Sequence, residues 1–98
     1  MATKNKTITL NHHARTSALI YAETILEACR VAKIKDPIAA LIDTDDYPRL
    51  KRIDMVEYAI GWLNGCAESH GVTVVTLWEQ IVPSAERGLK RRDAELRY

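Results

Sequence analysis

Apolar residues recur along this chain at three- and four-residue spacings, the period of an amphipathic α-helix, and hardly at all at the two-residue spacing of a strand. Only Thr7-Ile8-Thr9-Leu10 alternates, and it is too short to make a sheet alone. The first helical stretch opens at Thr9 or Asn11, either of which suits an N-cap, and runs to about Lys33. Ala14, Ala18, Tyr21, Ala22, Ile25, Ala28, Cys29 and Ala32 share one face, with Leu19 and Leu26 on its flank. Thr16, Glu23, Glu27 and Arg30 lie opposite. So many alanines predict a neighbouring helix close by, near the short end of the roughly 8–10 Å interaxial range. Ile20 and Val31 project from the polar side, which is ordinary for a surface helix.

Asp36-Pro37 carries the pairing of N-cap aspartate and first-turn proline, and predicts a short helix over Pro37–Ile42. After an acidic loop, Asp43 to Tyr47, the pattern predicts one continuous helix from Pro48 to His70, stopped by Gly71. Asp54 and Glu57 have capping-box spacing and suggest a break near Ile53. Against it, Leu50, Ile53, Val56, Ile60, Leu63 and Ala67 hold a single stripe across that point. Thr73 caps a further helix in which Val74, Leu77, Trp78 and Ile81 face inward; Pro83 ends or bends it, and Ser84 caps a polar C-terminal helix. The expected fold is all-α, a small helical bundle with two long antiparallel helices and two or three short ones. It divides into a flexible arm over 1–10, a helical core over 11–83 and a polar, basic helix or tail over 84–98.

Composition changes this picture little. With 47% hydrophobic and 28% charged residues over 98 positions, the chain supports one modest core and is not of disordered type. The net charge of +1 is unevenly placed: +3 over residues 1–33, −4 over 34–83 and +2 over 84–98. That segregation favours self-association or an oriented partner. No apolar run is long enough to span a membrane, and the N-terminus lacks an apolar signal core, so a cytoplasmic protein is expected. Cys29 and Cys66 fall among apolar neighbours and read as small hydrophobes; a bridge between them is conceivable but unneeded.

Chemistry-bearing motifs are missing. His12 and His13 are adjacent and diverge by about a hundred degrees on a helix, unlike metal ligands spaced three or four apart. Asp43–Asp46 lacks the glycine and the distal glutamate of a calcium loop. There is no glycine-rich phosphate loop, nucleophile elbow or Cys-X-X-Cys, and Ser69-His70 reads as two helix neighbours that do not face each other. We therefore expect no enzyme, no cofactor and no metal.

Protein contact is the class that remains. The Pro48–His70 helix has an apolar arc widened by Met55, Ala59, Trp62 and Cys66, more than a surface helix needs. Trp62 either packs under the short Pro37–Ile42 helix or, with Met55, meets a second chain. On the opposite face Gly61 and Gly65, beside Asp54, Tyr58 and Asn64, form a Gly-X-X-X-Gly step, and each glycine costs a helix about 1 kcal/mol relative to alanine. Asp43, Asp45, Asp46, Asp54, Met55, Tyr58, Gly61, Trp62 and Gly65 are accordingly the expected protein-interaction residues of an adaptor- or inhibitor-like protein, such as a phage or mobile-element accessory protein, that forms a homodimer or higher oligomer. The alternative is a nucleic-acid-binding regulator using the basic ends, with Arg87, Lys90, Arg91, Arg92 and Arg97 on phosphates.

Overall fold

The computed structural model describes residues 8–41 and 55–96, and among these every regular element is an α-helix. They are α1 (His12–Ala32), α2 (Pro37–Leu41), α3 (Val56–Ser69) and α4 (Val74–Leu96). The acidic residues Asp43, Asp45 and Asp46, the stripe members Leu50 and Ile53, Asp54, and Arg97 lie outside the described residues.

Local chemistry sets most helix ends. The Asn11 side chain accepts from the Ala14 amide at 2.8 Å and caps α1. The Asp36 carboxylate accepts from the Ile38 amide at 3.1 Å, and Thr73 Oγ1 from the Thr76 amide at 3.2 Å. At the far end of α1, Lys33 takes the left-handed conformation at φ 61° while the Ile34 amide reaches back to the Cys29 carbonyl at 2.8 Å. Gly71 closes α3 in the same way at φ 72°, with the Val72 amide on the Ala67 carbonyl at 3.0 Å.

Two expected boundaries are corrected. The helix drawn continuously from Pro48 to His70 does not exist as one element: Met55 sits at φ 72°, which no residue inside a right-handed helix adopts, and α3 starts at Val56. The second half of the stripe keeps its place, since Val56, Ile60, Leu63 and Ala67 are all buried. Conversely, α4 runs through Pro83, where an 83/84 division was expected. Proline deprives the Glu79 carbonyl of its helical donor. Pro83 faces solvent, so water can replace that bond, while Ile81 and Ala85 on either side are buried and hold both turns to the core.

The antiparallel pairing expected between the first long helix and the helix ending near His70 is seen in α1 and α3, while α4, longer than expected, packs on α1 in the other sense. Across α1 and α4 the paired residues advance together: Ile8 with Gln80, Glu23 with Arg92, Arg30 with Asp93. The two longest helices therefore run in the same sense. The antiparallel neighbour of α1 is the shorter α3: Tyr21 meets Tyr58 and Trp62, whereas Ala14 lies beside Gly65, Cys66 and His70. Direction reverses between α1 and α3 and again at the tight turn before α4, which restores the original sense.

The core lies between these three helices. Ile25, Val56, Leu63 and Leu77 are its largest fully enclosed side chains, each contributing roughly 1.5–3 kcal/mol by burial. Ala18, Ala22, Ala59 and Ala67 are equally enclosed and let the axes approach. Ile8, expected in a flexible arm, is buried; its amide donates to Gln80 Oε1 at 3.0 Å and its carbonyl accepts from Gln80 Nε2 at 2.8 Å. That paired bond ties residues 8–10 onto α4. At Gly88 a Cβ would meet the end of the Glu23 side chain that pairs with Arg92, so that flexible carboxylate would have to shift.

Candidate functional site

Once the buried residues of α3 are directed inward, its remaining positions make an open face with three strips. Glu57, Asn64 and Glu68 form one edge, Gly61 and Gly65 the middle, and Tyr58 and Trp62 the edge toward α1. A side chain added at either glycine would meet nothing within 4 Å. The turn at Gly71 and the Glu23 side chain beside Gly88 mark those two glycines; the fold gives no such feature to Gly61 and Gly65.

The aromatic edge is shared with α1. Tyr21 packs edge-on against Tyr58 with ring centroids 5.5 Å apart and lies tilted against Trp62 at 5.3 Å. Sequence periodicity placed Tyr21 on the core face; it is half-buried, as is Trp62, and both show part of their rings to solvent. Met55 and Tyr58 are 53% and 59% exposed, unusual for side chains so large and apolar. Hydrogen bonding with Tyr58, then desolvation, then the charge of a neighbouring tyrosinate push the Tyr21 phenol above its ordinary value. Trp62 thus packs on Tyr21 as well as on the core and keeps part of its ring exposed.

At the lower end, Ala14, Cys66, Ser69 and His70 border a shallow hollow with Gly61, Trp62 and Gly65. His70, just past the helix end, does approach Ser69, with Nδ1 at 3.4 Å from Oγ and 3.9 Å from Cys66 Sγ. That Nδ1 stands 2.9 Å from the Cys66 carbonyl oxygen, which requires it to carry the proton and donate. It is then no base for the serine, whose own hydroxyl donates to the same carbonyl at 3.1 Å. Burial pushes the Cys66 thiol up, away from the reactive thiolate. Both cysteines keep their thiols. Among the described residues no group of three or more His, Cys, Asp or Glu is placed to hold a metal ion, and no helix is long and apolar enough to cross a membrane.

The basic residues expected on phosphates are dispersed in their engagements. Arg92 is tied to Glu23, and Arg87 donates to Ser84 Oγ at 3.0 Å. Lys90 and Arg91 are exposed without an acidic partner among the described residues. Of the expected protein-interaction residues, the structure puts Tyr58, Gly61, Trp62 and Gly65 on adjoining strips of α3, with the exposed Met55 just before the helix. Tyr21 joins them, a member that helical spacing alone assigned to the interior. Comparison with family models, curated proteins and solved structures yields no match for this chain.

Proposed function

We propose that this protein acts by contact, as a non-enzymatic helical adaptor or inhibitor whose working surface is the outer face of α3 with Tyr21. One observation carries the reading: the exposed Tyr58 shares the open face of α3 with two glycines that the fold leaves uncovered, and the exposed Met55 stands at the start of the same helix. Aromatic residues and methionine are the types enriched where protein surfaces meet. Glycine at mid-helix costs stability in the free chain, and close approach by a partner backbone offsets it.

The test is the double variant Met55→Ala/Tyr58→Ala. Tyr58→Ala removes the ring contact with Tyr21, worth about 0.5–1.5 kcal/mol, so the melting temperature should fall by roughly 2–12 °C while the chain stays folded. Capture of the partner from the source cell, and self-association in sedimentation, should weaken by about tenfold or more, the effect expected of hot-spot aromatics. Retention of both at full strength would remove the contact surface from α3.

A second reading rests on the exposed Lys90 and Arg91 with Arg87, a one-sided basic ridge on α4. As a nucleic-acid surface it predicts binding that falls steeply with salt and with Lys90→Ala/Arg91→Ala, roughly one counterion per lost contact.

A further inference from the structure

We propose that the α3 face receives a second copy of this chain head to tail, by way of the basic ridge of α4; the inference rests on the contact reading above and names the partner. Charge decides the pairing. Between Arg52 and Arg87 the sequence contains no lysine or arginine, and α3 presents only Glu57 and Glu68 at the edge of its glycine floor. The exposed side of α4 beyond Pro83 presents Arg87, Lys90 and Arg91 in its centre, flanked by Glu86 and Glu95, while Arg92 and Asp93 are already engaged with Glu23 and Arg30 of the same chain. Arg87, Lys90, Arg91 and the small, exposed Ala94 fall at three- and four-residue spacing, so they form one ridge on the outer side of α4.

Symmetric pairing is disfavoured on both surfaces. Packing α3 against α3 brings four glutamates together with no cation, and packing α4 against α4 sets the two central ridges of Arg87, Lys90 and Arg91 against each other, with Glu86 and Glu95 at their flanks. Setting the α4 ridge on α3 instead places those cations against Glu57 and Glu68. It also sets a guanidinium or ammonium over the exposed faces of Tyr58 and Trp62, where cations are attracted to the ring. Gly61 and Gly65 leave room for the ridge to come close to the α3 backbone. The net charge of +1 raises no general repulsion between copies. Such a contact uses different surfaces on the two copies, so it leaves one of each unfilled and grows into open chains as concentration rises.

The experiment is sedimentation velocity of the full chain and of two surface variants, each first checked for native helicity. Gly61→Leu fills the α3 floor and leaves α4 intact; Lys90→Glu/Arg91→Glu reverses the ridge and leaves α3 intact. Wild type should associate progressively with concentration at low ionic strength and at least about tenfold less at 0.5 M salt, where the screening length falls to several ångströms. Each variant alone should be monomeric, and an equimolar mixture should form a one-to-one dimer that grows no further, because one intact α3 meets one intact α4. A mixture that stays monomeric, or a charge-reversed variant that still associates by itself, overturns the head-to-tail assignment. Wild type that is monomeric at about 200 µM, far above a micromolar interface, also overturns it, and so does association that vanishes on nuclease treatment. The contact reading fails separately, when Gly61→Leu leaves capture of the cellular partner unchanged.

Discussion

At the scale of single residues, the informative positions are those whose conformation or exposure the fold does not require. Met55 is a bulky side chain held at positive φ with more than half its surface in water, and Gly61 and Gly65 are helix interiors without a neighbour. Tyr21 is the opposite case, a residue that binds two other rings and couples α1 to α3. Its raised phenol value gives a direct check. One tyrosine should deprotonate above the ordinary 10.0 in a tyrosinate absorbance titration, and Tyr58→Phe should bring it down by removing the largest cause. The sign for stability follows from the same shift: the folded state favours the neutral phenol. The contribution is therefore complete below the ordinary value and is lost as pH rises through the raised one. A titration in which no tyrosine is displaced upward would dissolve the Tyr21–Tyr58 link.

At the scale of elements, the helix ends follow two different rules. Caps written into short polar residues, Asn11, Asp36 and Thr73, act where local spacing places them. The two left-handed closures are chemically unequal, because α3 uses Gly71 and α1 uses Lys33, whose Cβ is strained there. Lys33→Gly should therefore raise stability by about 0.5–1 kcal/mol, whereas Gly71→Ala should lower it by about 1 kcal/mol. Thermal melts of the two variants measure the contrast, and an equal response would mean that φ at these positions is not what limits the ends. The start of α3 shows why periodicity misled. A stripe records which side of the chain is buried, and that side can persist across a change of backbone direction. The Asp54 and Glu57 spacing held the competing signal for a break near Ile53; α3 starts close by, at Val56, with Met55 at the N-cap and no side-chain cap bond. Pro83 shows the reverse, a strong local breaker overridden because burial of Ile81 and Ala85 anchors the turns on both sides.

At the scale of the whole molecule, three helices enclose a small core rich in alanine, and charge is sorted between an acidic α3 and a basic outer α4. The head-to-tail assembly belongs to this scale and makes a stability prediction of its own. In dilute solution, Gly61→Ala/Gly65→Ala should stabilise the chain by about 1 kcal/mol per site, the ordinary glycine-to-alanine gain in a helix with no clash to offset it. At concentrations where wild type is assembled, the advantage should shrink or reverse, since association stabilises only the chain that can still bind. Denaturant titrations at low and high protein concentration distinguish the two regimes. An advantage independent of concentration would show that nothing approaches the glycine floor.

The sequence by itself determined what depends on near neighbours: that the elements are helices, which face of α1, α3 and α4 is buried, and where a cap or a glycine ends a turn. It also marked Met55, Tyr58, Gly61, Trp62 and Gly65, the residues of the proposed contact surface, because a wide apolar arc and unexplained glycines stand out against a period of 3.6. Tertiary structure alone decided that the two long helices run in the same sense, that α4 passes through Pro83, that Ile8 is tied down by Gln80, and that Tyr21 completes the aromatic cluster. Each of these depends on contacts between residues far apart in the chain, such as Ile8 with Gln80 or Glu23 with Arg92. A hydrophobic period specifies that a face is covered and carries no information about which helix covers it or from which direction. That choice is made by chain reversals and by how side chains pack, and both exist only once the helices have met.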